Sequence, residues 1–181
     1  MIYYTIPWNT DKNIGVYYNI IAAAAEHDND YLCFIDADAT FTTHFFGKQL
    51  EDIIKKYPEC GLFTAKTNRV GCQWQLENCD WNNNDIAYHR AIGQKLYETR
   101  YDRITDVSDK PRNEAMSGVL ILIRKSLWKS LGGFIETGML GVDNDIMWKA
   151  QSRNEKIYLM NGVYLYHWYR GGDKNSRSHL L

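Results

Sequence analysis

Tyr31-Leu32-Cys33-Phe34-Ile35-Asp36-Ala37-Asp38-Ala39-Thr40-Phe41 places five apolar residues in succession before two carboxylates. An apolar run without polar alternation describes a strand covered on both faces, the central position in a sheet with helices above and below. In such domains ligand sites gather at the carboxyl ends of the strands, so Asp36 and Asp38 leave the strand where chemistry collects. If the backbone stays extended through Ala37, the two carboxylates share a side. Close carboxylates repel, and a hard divalent cation relieves that repulsion while bridging to a diphosphate. The bland alternative is that the pair caps the following helix.

The flanking chain alternates strands and helices. Residues 2–6 are β-branched and aromatic and stop at Pro7, which predicts a strand. Residues 14–26, with four consecutive alanines, predict a helix that His27-Asp28-Asn29-Asp30 breaks. Helices follow at 44–57, 85–101, 125–131 and 143–153, and strands at 61–67 and 119–123, with one or two more in 156–168 around Asn161-Gly162. Residues 68–84 have little periodicity, and 105–114, polar and carrying Pro111, read as a loop. The tail 171–181 is polar and Gly-rich, which predicts mobility or ordering on ligand binding. The expected architecture is one α/β domain over 1–181, a mainly parallel central sheet flanked by helices.

Composition removes several classes. The 181 residues are 45% hydrophobic and 24% charged, ordinary globular values that exclude disordered, collagen-like and coiled-coil chains. Twenty-one Lys and Arg against 22 Asp and Glu give a net charge of −1, so no basic field is available for a nucleic-acid backbone. Lys55, Lys56, Arg100, Arg103 and Arg112 are scattered among acids, like a solvated surface. Aromatics at 14% suit stacking on a sugar or base, although cores use rings too. Cys33 reads as a small buried hydrophobe, while Cys60, Cys72 and Cys79 with His89 sketch a zinc site that lacks a short C-x-x-C pair. A Cys72–Cys79 disulfide is conceivable. The first residues show no basic region or cleavage signal, and the longest nearly apolar stretch, 14–25, is short for a bilayer. The expectation is a cytoplasmic protein with reduced thiols and no membrane span.

Four further segments follow in order: Ser117-Gly118 opening a strand, Gly132-Gly133-Phe134 after a short helix, Gly141-Val142-Asp143-Asn144-Asp145-Ile146 leading into a helix, and Tyr166-His167-Trp168-Tyr169 ending a strand. With Asp36-Ala37-Asp38 before them, this order resembles the GT-A glycosyltransferases, particularly the family 2 nucleotide-sugar transferases, over about residues 2–170. The resemblance implies a Rossmann-like GT-A fold and metal-dependent transfer of a sugar from a nucleotide-sugar, a UDP-sugar foremost, to an acceptor hydroxyl on a glycan or small molecule. It implies that Asp38 holds Mn²⁺ or Mg²⁺ with the diphosphate, that Asp36 orients ribose or sugar and assists the metal, and that His167 completes the site, with His179 as a rival ligand. Asp143 matches the general base of inverting members, and Asp145 would share that role or orient the acceptor. Ala37, Met116, Ser117 and Gly118 would line the donor; Ile6, Pro7 and Asn9 would seat base and ribose. Arg170 and Lys174 would clamp the diphosphate, with Gly171-Gly172 as a lid hinge.

The chain departs from the family in three ways. It passes from Pro7 straight to the helix at 14, omitting a β–α–β segment, so only Asp11 stands in for the acidic contact to uracil. Val142-Asp143 replaces a Glu-Asp pair, and no Gln-x-x-Arg-Trp run is present, unlike a processive synthase. Two rival readings use the same residues. One is a haloacid-dehalogenase-like phosphatase, with Asp36 as nucleophile, Asp38 as acid/base and Lys110 as the stabilising cation. The other is a module that binds nucleotide or carbohydrate without turnover. Residue by residue, His167 could be a core histidine among Trp168 and Tyr169, and Asp143 and Asp145 ordinary helix-terminal acids.

Overall fold

A computed structural model describes residues 1–7 and 10–169. In chain order the elements are β1 (Ile2–Thr5), α1 (Ile14–Ala24), β2 (Tyr31–Ile35), β3 (Ala39–Phe41), α2 (Phe46–Lys56), β4 (Leu62–Thr67) and α3 (Ile86–Arg100). They continue with β5 (Ile104–Asp106), β6 (Leu120–Arg124), α4 (Lys125–Ser130), α5 (Val142–Ser152) and β7 (Ile157–His167). Short 3-10 turns at Gln73–Gln75 and Arg112–Glu114 punctuate the two long loops. No helix among the described residues is long and apolar enough to cross a membrane.

The seven strands form one sheet in the order β1-β2-β6-β4-β7-β3, with β5 also on β7. The α/β class is as expected, but the sheet is mixed rather than mainly parallel. β1 with β2 and β4 with β7 are parallel; β6 is antiparallel to both its neighbours, and β3 and β5 are antiparallel to β7. Thus β1, β2, β4 and β7 share a direction and β6 is inverted between them. The inversion follows from the connection before β6. After β5 the chain climbs beside α5 as an extended segment. There Gln151 donates to the Ser108 and Lys110 carbonyls, Arg112 lies over the Trp148 ring, and Asn144 donates to Met116 O. The extended climb does the work of a crossover helix, so β6 starts at the carboxyl edge and runs back. Its apolar sequence is fully covered in either direction, which is why composition did not reveal the sense.

Alternation along β2 and β6 builds two cores. Leu32, Phe34, Ile121 and Ile123 face α1 and α5, whereas Tyr31, Cys33, Ile35, Leu120 and Leu122 face α2. On the first face Tyr18 stacks on Phe34 with centroids 4.4 Å apart, and Phe134 meets both edge-on. Burial on both faces fixes β2 rigidly, so the residues after Ile35 leave from a firm base. β7 is one strand whose register against β4 shifts after Ala65, where Asn161 to Val163 are taken up.

Candidate metal centre

At the carboxyl end of β2 the chain turns, so the condition for strand alternation to put Asp36 and Asp38 on one side is not met. The Ala39 N–H donates to Asp36 O at 3.0 Å, a turn through Ala37 and Asp38 that feeds β3. β3 then pairs with the end of β7, Ala39 opposite His167, and the Trp168 N–H donates to Asp38 O at 2.8 Å. The turn, rather than strand alternation, therefore brings Asp36, Asp38 and His167 together. His167 Nε2 lies 3.1 Å from Asp38 Oδ1 and 3.7 Å from Asp36 Oδ2. One ligand atom from each residue falls within 4.8 Å of the others, the only such group among the described residues. Two carboxylates and an imidazole form a mixed hard and borderline donor set, which fits Mn²⁺ or Mg²⁺ and leaves positions for water or phosphate oxygens.

Burial and mutual charge shift the protonation of Asp36 and His167. Burial, then the charges of Asp38 and Asp143, push the Asp36 carboxyl up to about 6 against the pull of His167. For His167 burial works downward, but the hydrogen bond and charge of Asp38, with Asp36, outweigh it and hold the ring above its usual range. Without a cation, an imidazolium can bridge the two acids. Nδ1 donates to Arg69 O at 2.7 Å, so in the neutral ring the Nε2 lone pair faces the acids.

His167 is 4% exposed, yet its ring is aimed at the carboxylates rather than absorbed in the core. Two residues of the irregular 68–84 segment hold it. Asn68 accepts from the His167 N–H at 2.7 Å and donates to its carbonyl at 3.2 Å; buried Arg69 donates to Trp81, Asn83 and Trp168 carbonyls. Sequence reading missed both, because a polar residue in an aperiodic segment looks like loop. The only available signal was a cation, Arg69, beside an apolar Val70 at a strand's exit. Asn68→Ala removes both partners of a buried backbone pair. Its expected cost is about 2 kcal/mol in urea unfolding, with metal affinity lowered roughly tenfold. Unchanged stability would show that the His167 backbone finds other partners.

Gly118 and Asp143 complete the edge. The Gly118 N–H donates to Asp143 Oδ2 at 2.7 Å and the Asn144 N–H to Oδ1 at 2.9 Å. A Cβ on Gly118 would come within 3.3 Å of Asp143 Cβ, so the close approach favours glycine. Burial raises the Asp143 carboxyl, opposed by the Asn144 and Gly118 bonds. Ser117 is gripped by fully buried Gln75, which accepts from its N–H at 2.6 Å and donates to its carbonyl at 3.1 Å. Gln75 is a second positioning residue that the sequence did not disclose. Met116 is buried, its N–H against Met147 Sδ. Asp145 pairs with Lys149 at 2.7 Å, and Lys149 also donates to Gly133 O, so this acid serves the glycine turn.

Other expected residues fall into place unevenly. β1 runs parallel to β2 with Thr5 opposite Phe34, so Ile6 and Pro7 emerge beside Ile35 and Asp36, Ile6 exposed and Pro7 buried. Ala37 is exposed at the turn, and exposed Asp11 accepts from the Thr10 hydroxyl. Asn9, Arg170, Lys174 and His179, with the Gly171-Gly172 hinge, lie outside the described residues. The sketched zinc set does not form. Cys60 bonds the Leu62 and Lys156 carbonyls, Cys72 packs with Val70 and Val119, and His89 bonds the Tyr164 hydroxyl and Asn83 O. All four cysteines are free thiols, so Cys72 and Cys79 are not joined. Lys110, the cation of the phosphatase reading, pairs with Glu114. No protein-family model matches the chain, and no curated protein matches it closely enough to count as a relative.

Proposed function

We propose that the protein is a metal-dependent glycosyltransferase of GT-A type, moving a sugar from a nucleotide-sugar, a UDP-sugar foremost, to an acceptor hydroxyl. One observation carries the reading: Asp36, Asp38 and His167 converge at the end of β2, on the edge where Gly118 and Asp143 also meet. A divalent cation held by those three would offset the charge on the departing diphosphate. Ser117 and Gly118, held by Gln75 and Asp143, present a small-residue wall to the sugar. As the acceptor oxygen bonds to the anomeric carbon, the carbon–phosphate oxygen bond breaks and its electron pair leaves with the nucleotide. The Asp143 carboxylate takes the hydroxyl proton, a role its burial-raised affinity for protons suits.

A binding module without turnover is favoured by a different fact: both Asp143 oxygens already accept backbone N–H bonds. A thermal-shift panel of UDP, GDP, CDP and ADP, each with and without Mn²⁺, tests the site. One nucleotide should raise the melting temperature only when Mn²⁺ is present. At tenfold above the dissociation constant the ligand adds about 1.4 kcal/mol, or roughly 3–6 °C for a chain of this size. Release of that nucleotide from its sugar conjugates then separates transferase from module. No shift with any nucleotide would end the transferase reading and leave a module only carbohydrate to bind.

A further inference from the structure

The two long loops enclose a cavity of about 370 Å³, with Gly71, Gln73 and Trp74 on one side and Lys110, Asn113 and Glu114 on the other. It lies before the segment Ala115 to Gly118 that leads into β6. The Trp74 indole N–H donates to Glu114 O at 2.7 Å, which fixes the ring across the two loops; part of the ring packs on the core and the rest lines the cavity. Lys110 Nζ and Glu114 Oε2 are 3.2 Å apart, and their side chains keep 37% and 47% exposure, so both remain within reach of a ligand. Exposed Gln73 and Asn113 each add an amide donor and acceptor. A Cβ at Gly71 would meet nothing within 4 Å, leaving that wall open.

The charges cancel. A phosphate would find no uncompensated cation, because Lys110 is already paired. A hydrocarbon would leave the four polar side chains at the cavity without a partner inside it. A neutral ring bearing hydroxyls satisfies both conditions: adjacent hydroxyls can donate to Glu114 and accept from Lys110 while the ring's C–H face lies on Trp74. The volume sits at the small end of the roughly 300–1,000 Å³ of ligand pockets, which suits a single sugar ring better than a nucleoside diphosphate. We propose that this cavity binds a neutral saccharide unit. The binding claim stands on the cavity alone; only the further step, that the bound sugar is the acceptor of the transfer proposed above, rests on that reading.

The test is a titration of the ¹⁵N-labelled full chain with the methyl glycosides of glucose, galactose, mannose and N-acetylglucosamine, without metal or nucleotide. The Trp74 indole N–H signal, assigned by its loss in Trp74→Phe, is the probe. One glycoside should shift it saturably at millimolar concentration, equally in wild type and Asp38→Asn. Lys110→Met and Glu114→Gln should each weaken that binding about tenfold, the loss of a hydrogen bond to a charged group. No shift with any glycoside overturns the proposal, as do unchanged affinity in both loop variants and loss of glycoside binding in Asp38→Asn. Intact glycoside binding in a chain that ignores Mn²⁺ and nucleotides upholds the pocket and sinks only the transferase reading.

Discussion

Asp38→Asn should lower Mn²⁺ affinity about 100-fold or more while leaving the melting temperature of the metal-free protein within a degree or two of wild type. The first half follows from charge. Asp38 would supply one of two anionic ligands, and replacing its carboxylate by an amide removes a full unit of attraction to a divalent ion. At the effective dielectric of a partly exposed site, a pair of unit charges 4 Å apart is worth roughly 4 kcal/mol. Retention of a weak amide oxygen ligand brings the expected loss to about 3 kcal/mol, a factor of 100 or slightly more. The second half follows from exposure and repulsion. The Asp38 side chain is 40% exposed, and its charge lies beside that of Asp36, so its removal relieves a like-charge contact as it loses the one to His167. Asp143→Asn is the contrasting variant: Asp143 spends its oxygens on Gly118 and Asn144, so Mn²⁺ affinity should fall less than threefold. Calorimetric titration of Mn²⁺ into the three proteins reads these numbers. Equal affinity in wild type and Asp38→Asn would remove the cation from the site and with it the transferase proposal.

The acids of this cluster were legible in the sequence because a buried strand is legible. Five apolar residues from Tyr31 to Ile35 can sit only inside a layered sheet, and the polar residues that follow must emerge at its edge. His167 entered instead through the order of segments that resembles the GT-A enzymes, since its place among Trp168 and Tyr169 reads equally as a core histidine. The means of their meeting was not legible. A turn at Ala37-Asp38 and a three-residue β3 carry no periodic signal, and β3 is set by its pairing with β7, far along the chain. The direction of β6 was equally hidden: a strand covered on both faces looks the same run forwards or backwards, and only the extended climb beside α5 reveals its sense. β5, short and half exposed, was lost inside a polar loop. Asn68, Arg69 and Gln75 belong to a third kind of residue, polar side chains that take the place of missing backbone partners. Their roles depend on long-range neighbours, so no local pattern marks them.

Gly15→Ala should destabilise the protein by about 3 kcal/mol, although alanine is the better helix former. Gly15 is the second residue of α1, and in an isolated helix the substitution would gain close to 1 kcal/mol. Here a Cβ at Gly15 would lie 1.8 Å from Ile135 O and 2.9 Å from Ile135 C, so the obstacle is backbone and cannot rotate away. Nor can the 133–138 segment retreat cheaply. Asn19 donates to Phe134 O at 2.9 Å and accepts from the Phe134 N–H at 2.8 Å, Lys149 holds Gly133 O, and the Ile14 N–H donates to Gly138 O. Relieving the overlap means sliding α1 by more than an ångström, which breaks the Asn19 bridge and disturbs the Tyr18, Phe34 and Phe134 ring cluster. Those losses exceed the propensity gain several-fold, and the melting temperature should fall by roughly 6–12 °C. Gly71→Ala, whose Cβ meets nothing within 4 Å, should change it by less than 2 °C. The effect reaches the candidate site, because the same segment runs into Gly141 and α5, where Asp143 holds Gly118. A Gly15→Ala chain as stable as wild type would mean that α1 is not seated on this turn, and the placement of Asp143 would then need another support.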